Sequence, residues 1–292
     1  RTFHLIDGTA LLFRSYFSPR PKMLAPDGTP VTGVMGLTQI LARYVVEHQV
    51  THAAVVFDAG QKTFRNRIDP AYKANRGDPP EDLVPQFDLA RIATRALGFL
   101  DLAILDYEAD DLIATLCERL RPHPRRLVSI DKDLIQLLEP GVRIVDDRSG
   151  EQLDAAGAYD KHGVRPELWT TFQALCGDSV DNVRGAPGVG AKTAAALIEA
   201  FGSLDDIYDR IDEIEALPIR GARTLGDKLR PHRDTVQTAL RLVTLDQHVP
   251  MTVEPEALAY RGPQADADAV FDRLGFHQPL RKLRNYHTHR QM

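Results

Sequence analysis

A chain of 292 residues, 43% hydrophobic and 26% charged, has the apolar content of an ordinary globular protein with one large core or two modest ones. No apolar run approaches the roughly 20 residues that span a bilayer. No secretory signal opens the chain and only Cys117 and Cys176 could oxidise, which sets aside a membrane-spanning protein and an exported disulfide scaffold; a cytoplasmic enzyme is expected. The chain begins at Arg1 rather than Met, so a processed or trimmed start is also expected. A net charge of -5 argues against nucleic acid only if the charge is evenly spread. It is not: residues 62–76 carry Lys62, Arg65, Arg67, Lys73 and Arg76 against Asp69, and residues 220–233 carry Arg220, Arg223, Lys228, Arg230 and Arg233 against Asp227. Either segment by itself reads equally well as a solvated basic face.

Apolar runs at 3–7, 53–58, 102–106, 127–131 and 142–146 predict strands that alternate with helical patterns, hence an α/β fold with a mostly parallel central sheet flanked by helices. Val34, Leu37, Leu41, Tyr44 and Val45 share one helical face, as do Leu112, Leu116 and Leu120, with Ile113 and the core thiol Cys117 beside them. A basic, Pro-interrupted stretch at about 62–90 forms a long excursion over the carboxyl edge of the sheet, leading into a helix near 82–97. After about residue 150 the strand pattern gives way to helices joined by Gly/Pro turns, so residues 1–165 read as an α/β domain and 166–292 as a helical lobe. In that lobe Gly185-Ala186-Pro187-Gly188-Val189-Gly190 leads into a helix with the apolar face Ala194, Leu197, Ile198 and Phe201. No internal repeat is evident. The end, Leu280 to Met292, is polar after Leu283 and is expected to fray, with His287 and His289 part of that tail rather than a metal site.

Acids close these runs: Asp7, Asp58, the cluster Glu108, Asp110 and Asp111, then Asp131 with Asp133, Asp146, and the pair Asp178 and Asp181. The carboxyl ends of parallel strands lie side by side, and ligands of open α/β sheets bind there. Two carboxylates about 4 Å apart repel by roughly 4 kcal/mol at an effective dielectric near about 20. Several such pairs would consume a typical stability of about 5–15 kcal/mol. Bound divalent cations are the simplest remedy. The histidines are scattered and neither Cys has a partner at zinc spacing, so oxygen ligation points to Mg²⁺ or Mn²⁺. Plain helix capping competes as a reading of Glu108 to Asp111. Asp131 and Asp133 point the same way if the extended backbone continues, and Asp178 and Asp181 share a face if their segment is helical. Gly188-Val189-Gly190 before Ala191-Lys192-Thr193 can offer backbone N–H groups to a phosphate, although Gly-x-Gly also marks ordinary tight turns. The spacing is not that of a Walker A loop, because Gly190 and Lys192 are not adjacent.

The segments Ile6-Asp7-Gly8, Val56-Phe57-Asp58, Tyr72-Lys73-Ala74-Asn75-Arg76, Tyr107-Glu108-Ala109-Asp110-Asp111, Asp131-Lys132-Asp133-Leu134, Gly177-Asp178-Ser179-Val180-Asp181-Asn182 and Gly188 to Ala194 occur in that order. Together they resemble the 5′ nuclease family: the 5′→3′ exonuclease domain of bacterial DNA polymerase I, its free-standing bacterial and phage relatives and, more distantly, the flap endonucleases. A weaker match reaches Leu274-Gly275-Phe276. The resemblance implies a catalytic α/β domain with a helical arch, and a DNA-binding lobe with a helix-three-turn-helix at about 183–202. It implies a metal pair surrounded by Asp7, Asp58, Glu108, Asp110, Asp111 and Asp131, with Asp133, Asp178 and Asp181 completing the second site. Lys73 and Arg76 would grip the scissile phosphate and Tyr72 would stack on an unpaired base. Gly188, Gly190, Lys192 and Thr193 would hold the duplex backbone, with K⁺ bound there. The implied reaction is two-metal hydrolysis, by Mg²⁺ with Mn²⁺ as a substitute, of DNA carrying a 5′ flap, nick or free 5′ end, or of an RNA–DNA hybrid, by a monomer. Two positions depart from the family pattern: Val180 stands where Ser is usual and Arg184 where Pro is common.

Other readings remain beside this one. Ile6-Asp7-Gly8-Thr9 is similar to a haloacid-dehalogenase-type phosphatase motif, but Leu5 occupies the position of its nucleophile. A non-catalytic, structure-specific DNA-binding module of the same fold, or a ribonuclease with a related acidic site, would carry many of the same residues.

Overall fold

In this computed structural model, which describes residues 1–291, the chain runs β1 (Phe3–Asp7), α1 (Gly8–Phe17), α2 (Thr32–His48), β2 (Ala53–Val56), α3 (Phe64–Ile68), α4 (Val84–Ala96), β3 (Leu100–Leu102), α5 (Ala109–Arg119), β4 (Arg125–Val128), β5 (Val142–Val145) and β6 (Gln152–Leu153). Helices follow: α6 (Ala155–His162), α7 (Trp169–Cys176), α8 (Ala191–Phe201), α9 (Leu204–Asp209), α10 (Ala222–Leu229), α11 (Arg233–Val243), α12 (Ala267–Leu274) and α13 (Gln278–Gln291). Among the described residues the strands form one sheet in the order β3-β2-β1-β4-β5-β6, parallel except for β6. The strand order reverses between β1 and β4, and that switch point opens a crevice at the carboxyl edge.

Both faces of the central strands β1 and β2 are covered, which is why these read as nearly unbroken apolar runs. Phe3, Leu5, Val56, Leu127 and Ile144 pack on α5 in a core that continues through Trp169 and Leu175 into Leu197, Ile207 and Val236 of the helical half. Ile6, Val55, Val128 and Val145 face the opposite core, built from α1, α2, α4, α12 and α13. Gly8 lies where these layers are tightest: a Cβ there would come within 2.6 Å of the Phe57 ring.

Several elements differ from expectation. The strand expected at 102–106 is Leu100–Leu102; beyond it the chain turns outward, leaving Leu105 exposed and Asp106 at φ 77 with its carboxylate paired to Arg67 at 2.6 Å. The excursion is helical only in Phe64–Ile68 and again from Val84, because Pro70, Gly77, Pro79 and Pro80 break the chain between. The tail expected to fray is helix α13, held because Leu280 and Leu283 are buried against the core that includes α2. Asp178 and Asp181 lie on a closed turn rather than a helix: Asp178 and Val183 exchange backbone hydrogen bonds, and Asp178 Oδ1 accepts from the Val180 N–H at 2.8 Å. No helix among the described residues is long and apolar enough to cross a membrane.

Candidate active site

Asp7 ends β1 and caps α1, accepting the Ala10 N–H at 2.9 Å, while its second oxygen accepts from the Ser129 hydroxyl at 3.1 Å. Across the switch point Asp131 follows β4 and caps a short 3₁₀ turn, Lys132–Leu137, by accepting the Asp133 N–H at 2.9 Å. Asp58 follows β2 and accepts the Ala109 N–H at 2.7 Å, which draws it to the head of α5. Asp133 accepts from Gln173 Nε2 of α7 at 2.6 Å. Thus the sheet edge and the helical half both supply walls of one acidic crevice.

The electrostatics show how crowded this crevice is. Burial, reinforced by the charges of Asp58 and Asp131, pushes Asp7 up to about 7 in spite of its two hydrogen bonds. Burial and Asp131 likewise push Asp133 up to about 7. Asp110 is raised well above the usual carboxylate range by burial and then by Asp131, Asp7, Asp133 and Asp58. Asp58 and Asp131 reach water at the crevice mouth, yet the surrounding protein and the neighbouring acids raise both. Asp178 runs the other way: burial opposes its charge, but Lys132 at 2.9 Å and the Val180 and Asp181 N–H groups hold it below the usual range.

One atom stands out chemically. Asp110 Oδ1 is buried and accepts no hydrogen bond. A buried polar atom left without a partner is costly, and a carboxylate among like charges more so. The donors around it are all oxygens, and this fits a hard divalent cation. Among the described residues no three His, Cys, Asp or Glu side chains converge closely enough to hold one ion as they stand. Several acids instead face cationic side chains: Glu108 pairs with Lys73 Nζ at 2.8 Å, Asp181 pairs with Arg76, and Asp178 pairs with Lys132.

Two expected site residues are placed elsewhere. Asp111 does not enter the crevice: its oxygens accept from Arg65 Nη1 and Nη2 at 2.7 and 2.8 Å and from the backbone of Glu108 and Asp246, which saturates them. Adjacent helical residues project about 100° apart, so Asp110 and Asp111 cannot face the same way. Tyr72 is 4% exposed, and its hydroxyl donates to Glu108 at 3.2 Å; a ring buried in the core has no face to offer a base. Asp146 closes its own turn, bonded by the Arg148 N–H and the Ser149 hydroxyl. Lys73 and Arg76 do reach the acids. Gly188, at φ 78, and Gly190 precede α8, whose first turn is capped by no side chain and whose Lys192 is exposed. Ser129, Lys132 and Gln173 also belong to the site; the Ser129 and Lys132 positions beside Asp131 were the available signal, while Gln173 gave none.

Acids gathered on the carboxyl edge of a mostly parallel sheet, with arginine and lysine reaching in from an excursion, make a crevice suited to divalent cations and a phosphate-bearing ligand. Residues 2–165 match the profile of the 5′-3′ exonuclease N-terminal resolvase-like domain and residues 164–266 that of the 5′-3′ exonuclease C-terminal SAM fold, and the chain belongs to this 5′-3′ exonuclease family. DNA polymerase I of Rhizobium leguminosarum is 38% identical over 263 residues, which cover 87% of this chain and 25% of the polymerase. The chain spans only about a quarter to a third of the curated polymerases it matches, 25% in that case and 32% in that of Bacillus caldotenax. Two solved structures share the fold: the phage T5 flap endonuclease with DNA and metal ions (TM-score 0.67, 22% identity, 100% of each chain) and the Rad2 catalytic core with DNA substrate (TM-score 0.64, 14% identity, 97% of this chain and 92% of that one).

Proposed function

We propose that the chain is a structure-specific 5′→3′ exonuclease and 5′-flap endonuclease that hydrolyses DNA phosphodiester bonds with two divalent cations, in replication and repair in a bacterial cytoplasm. The buried, unpartnered Asp110 Oδ1 amid carboxylates of raised pKa carries this reading. Family membership and the DNA and metal ions crystallised with the T5 flap endonuclease support it.

Asp7, Asp58, Glu108, Asp110 and Asp131 would surround a pair of Mg²⁺ ions, or Mn²⁺ in their place, with Asp133, Asp178 and Asp181 completing the second site. The pair would lower the pKa of the attacking water and neutralise charge on the phosphoryl oxygens. The chain's own side chains do the rest. Lys73 and Arg76, now spent on Glu108 and Asp181, exchange those partners for the scissile phosphate and offset charge on the leaving oxygen. The uncapped first turn of α8, with Gly188, Gly190, Lys192 and Thr193, takes the duplex backbone as a helix-three-turn-helix that also binds K⁺. Recognition of this kind reads phosphates and shape rather than base sequence. The substrate is DNA with a 5′ flap, nick or free 5′ end, RNA–DNA hybrids included, and the enzyme works as a monomer.

Metal binding and protonation compete for the same oxygens. Asp7 and Asp133 have folded-state pKa values near 7, above the unfolded value, so the stability they allow is present at low pH and is lost as pH rises toward and through about 7. Mg²⁺ at a fixed concentration, 100 times its dissociation constant at pH 8, is therefore expected to stabilise the protein by about 3 kcal/mol at pH 8 and far less at pH 5, where protonation raises that constant. Thermal melts with and without Mg²⁺ measure this; equal shifts at the two pH values, or none at pH 8, would contradict it.

A further inference from the structure

The base of the excursion is fastened to the turn that carries Asp178 and Asp181 by hydrogen bonds between uncharged groups. Asn182 Nδ2 donates to the Ala71 carbonyl at 2.6 Å, the Lys73 N–H to the Asp181 carbonyl at 2.9 Å, and Asn75 Nδ2 to the Ser179 carbonyl at 2.9 Å. Lys73 and Asn182, which meet at this seam, are both in the left-handed region, at φ 54 and 56. Non-glycine residues hold such conformations only where their surroundings over-determine them, and Asn tolerates them better than most.

The ion pairs in the same place cannot be what holds the segment during turnover. Lys73 and Arg76 are bound to Glu108 and Asp181, and a phosphate and divalent cations would compete for those same groups. The uncharged bonds survive that exchange. We propose that Asn182 is a positioning residue for Lys73: its carboxamide locks the Ala71–Arg76 turn onto the acid-bearing loop. The Lys73 ammonium then stays within reach of the reacting phosphate after releasing Glu108. The inference rests on the nuclease reading above.

Asn182→Gly keeps the left-handed backbone and deletes the carboxamide; Asn182→Asp keeps the shape and the conformational tolerance but replaces the donor with an acceptor. Trypsin nicking after Lys73 and Arg76 reads the clamp without any catalysis, and is expected to accelerate about tenfold or more in both variants while the thermal midpoint moves little. Single-turnover cleavage of a flap duplex in Mg²⁺ should fall about tenfold or more, with DNA affinity in Ca²⁺ held within about twofold. In a Lys73→Ala background Asn182→Gly should cost less than about twofold further, because the two residues act as one unit. Unchanged nicking, or the full loss repeated in the Lys73→Ala background, would overturn the clamp alone. A wild-type chain that binds flap DNA without cutting it would overturn the nuclease reading, and this one with it.

Discussion

Asp110→Ala is expected to lower the rate of flap cleavage by at least about 10²–10³-fold while DNA binding is kept or tightened. The direction follows from its surroundings. Asp110 is the acid whose charge meets Asp131, Asp7, Asp133 and Asp58 at once, and one of its oxygens has no donor from the protein. In the proposed reading Asp110 is a cation ligand at the centre of the crevice, and losses of electrostatic stabilisation at a reacting group run at about that magnitude or above. The substitution also removes a repelling charge, so the metal-free variant should be no less stable than the wild type, and the Mg²⁺-induced rise in melting temperature should shrink. Single-turnover rates, a filter-binding titration in Ca²⁺ and thermal melts decide the matter. A non-catalytic DNA-binding module would show no cleavage to lose; a variant that cuts at the wild-type rate would place the chemistry elsewhere.

Arg65→Ala should be the most damaging substitution for folding. Arg65 is 1% exposed and its guanidinium spans three elements: it donates in bidentate fashion to Asp111 of α5, through Nε to the Leu242 carbonyl at 2.7 Å, and through Nη2 to the Thr244 carbonyl at 3.0 Å. Asp111 in turn accepts the Asp246 N–H at 2.9 Å, so this one pair joins the excursion, the head of α5 and the segment that ends α11. Deleting one partner strands the other charge in the interior, which costs about 3–5 kcal/mol. At about 2–4 °C per kcal/mol for a chain approaching this size, the midpoint should drop by roughly 10 °C. Replacing both partners, as Arg65→Met with Asp111→Leu, should recover part of that loss, since an apolar pair leaves no orphaned charge. The Glu108 and Asp246 N–H groups and the Leu242 and Thr244 carbonyls still lose their partners. A single variant that melts within about 2 °C of the wild type would show the pair to be weak.

That pair also marks where the sequence stops being legible. Arg65 sits in a basic run that reads as an exposed face, solvated or DNA-facing, because the carbonyl its Nε donates to belongs to Leu242, far along the chain. Asp111 reads as a ligand by its place in an acidic cluster, although helical geometry already turns it away from Asp110. The expectation that Tyr72 stacks on a base comes from the family resemblance alone, and the tertiary packing shows its ring buried. By contrast, the sheet was readable from runs such as Phe3–Asp7 and Ala53–Val56, because strands buried on both faces are largely apolar. The carboxyl-edge position of Asp7, Asp58 and Asp131 followed from the same pattern. The short β6 escaped because two residues carry no periodicity, and α13 because its anchors, Leu280 and Leu283, precede a polar stretch.

The central claim, that the acids of the carboxyl edge hold divalent cations for cutting DNA at a 5′ structure, is tested most directly by mapping the products of a 5′-labelled flap duplex at nucleotide resolution, with Mg²⁺ and with EDTA. The account predicts cutting near the flap junction that releases the labelled flap with a 3′-hydroxyl end and vanishes with EDTA. Cleavage that persists in EDTA, or tight binding with no cleavage in either Mg²⁺ or Mn²⁺, would contradict it.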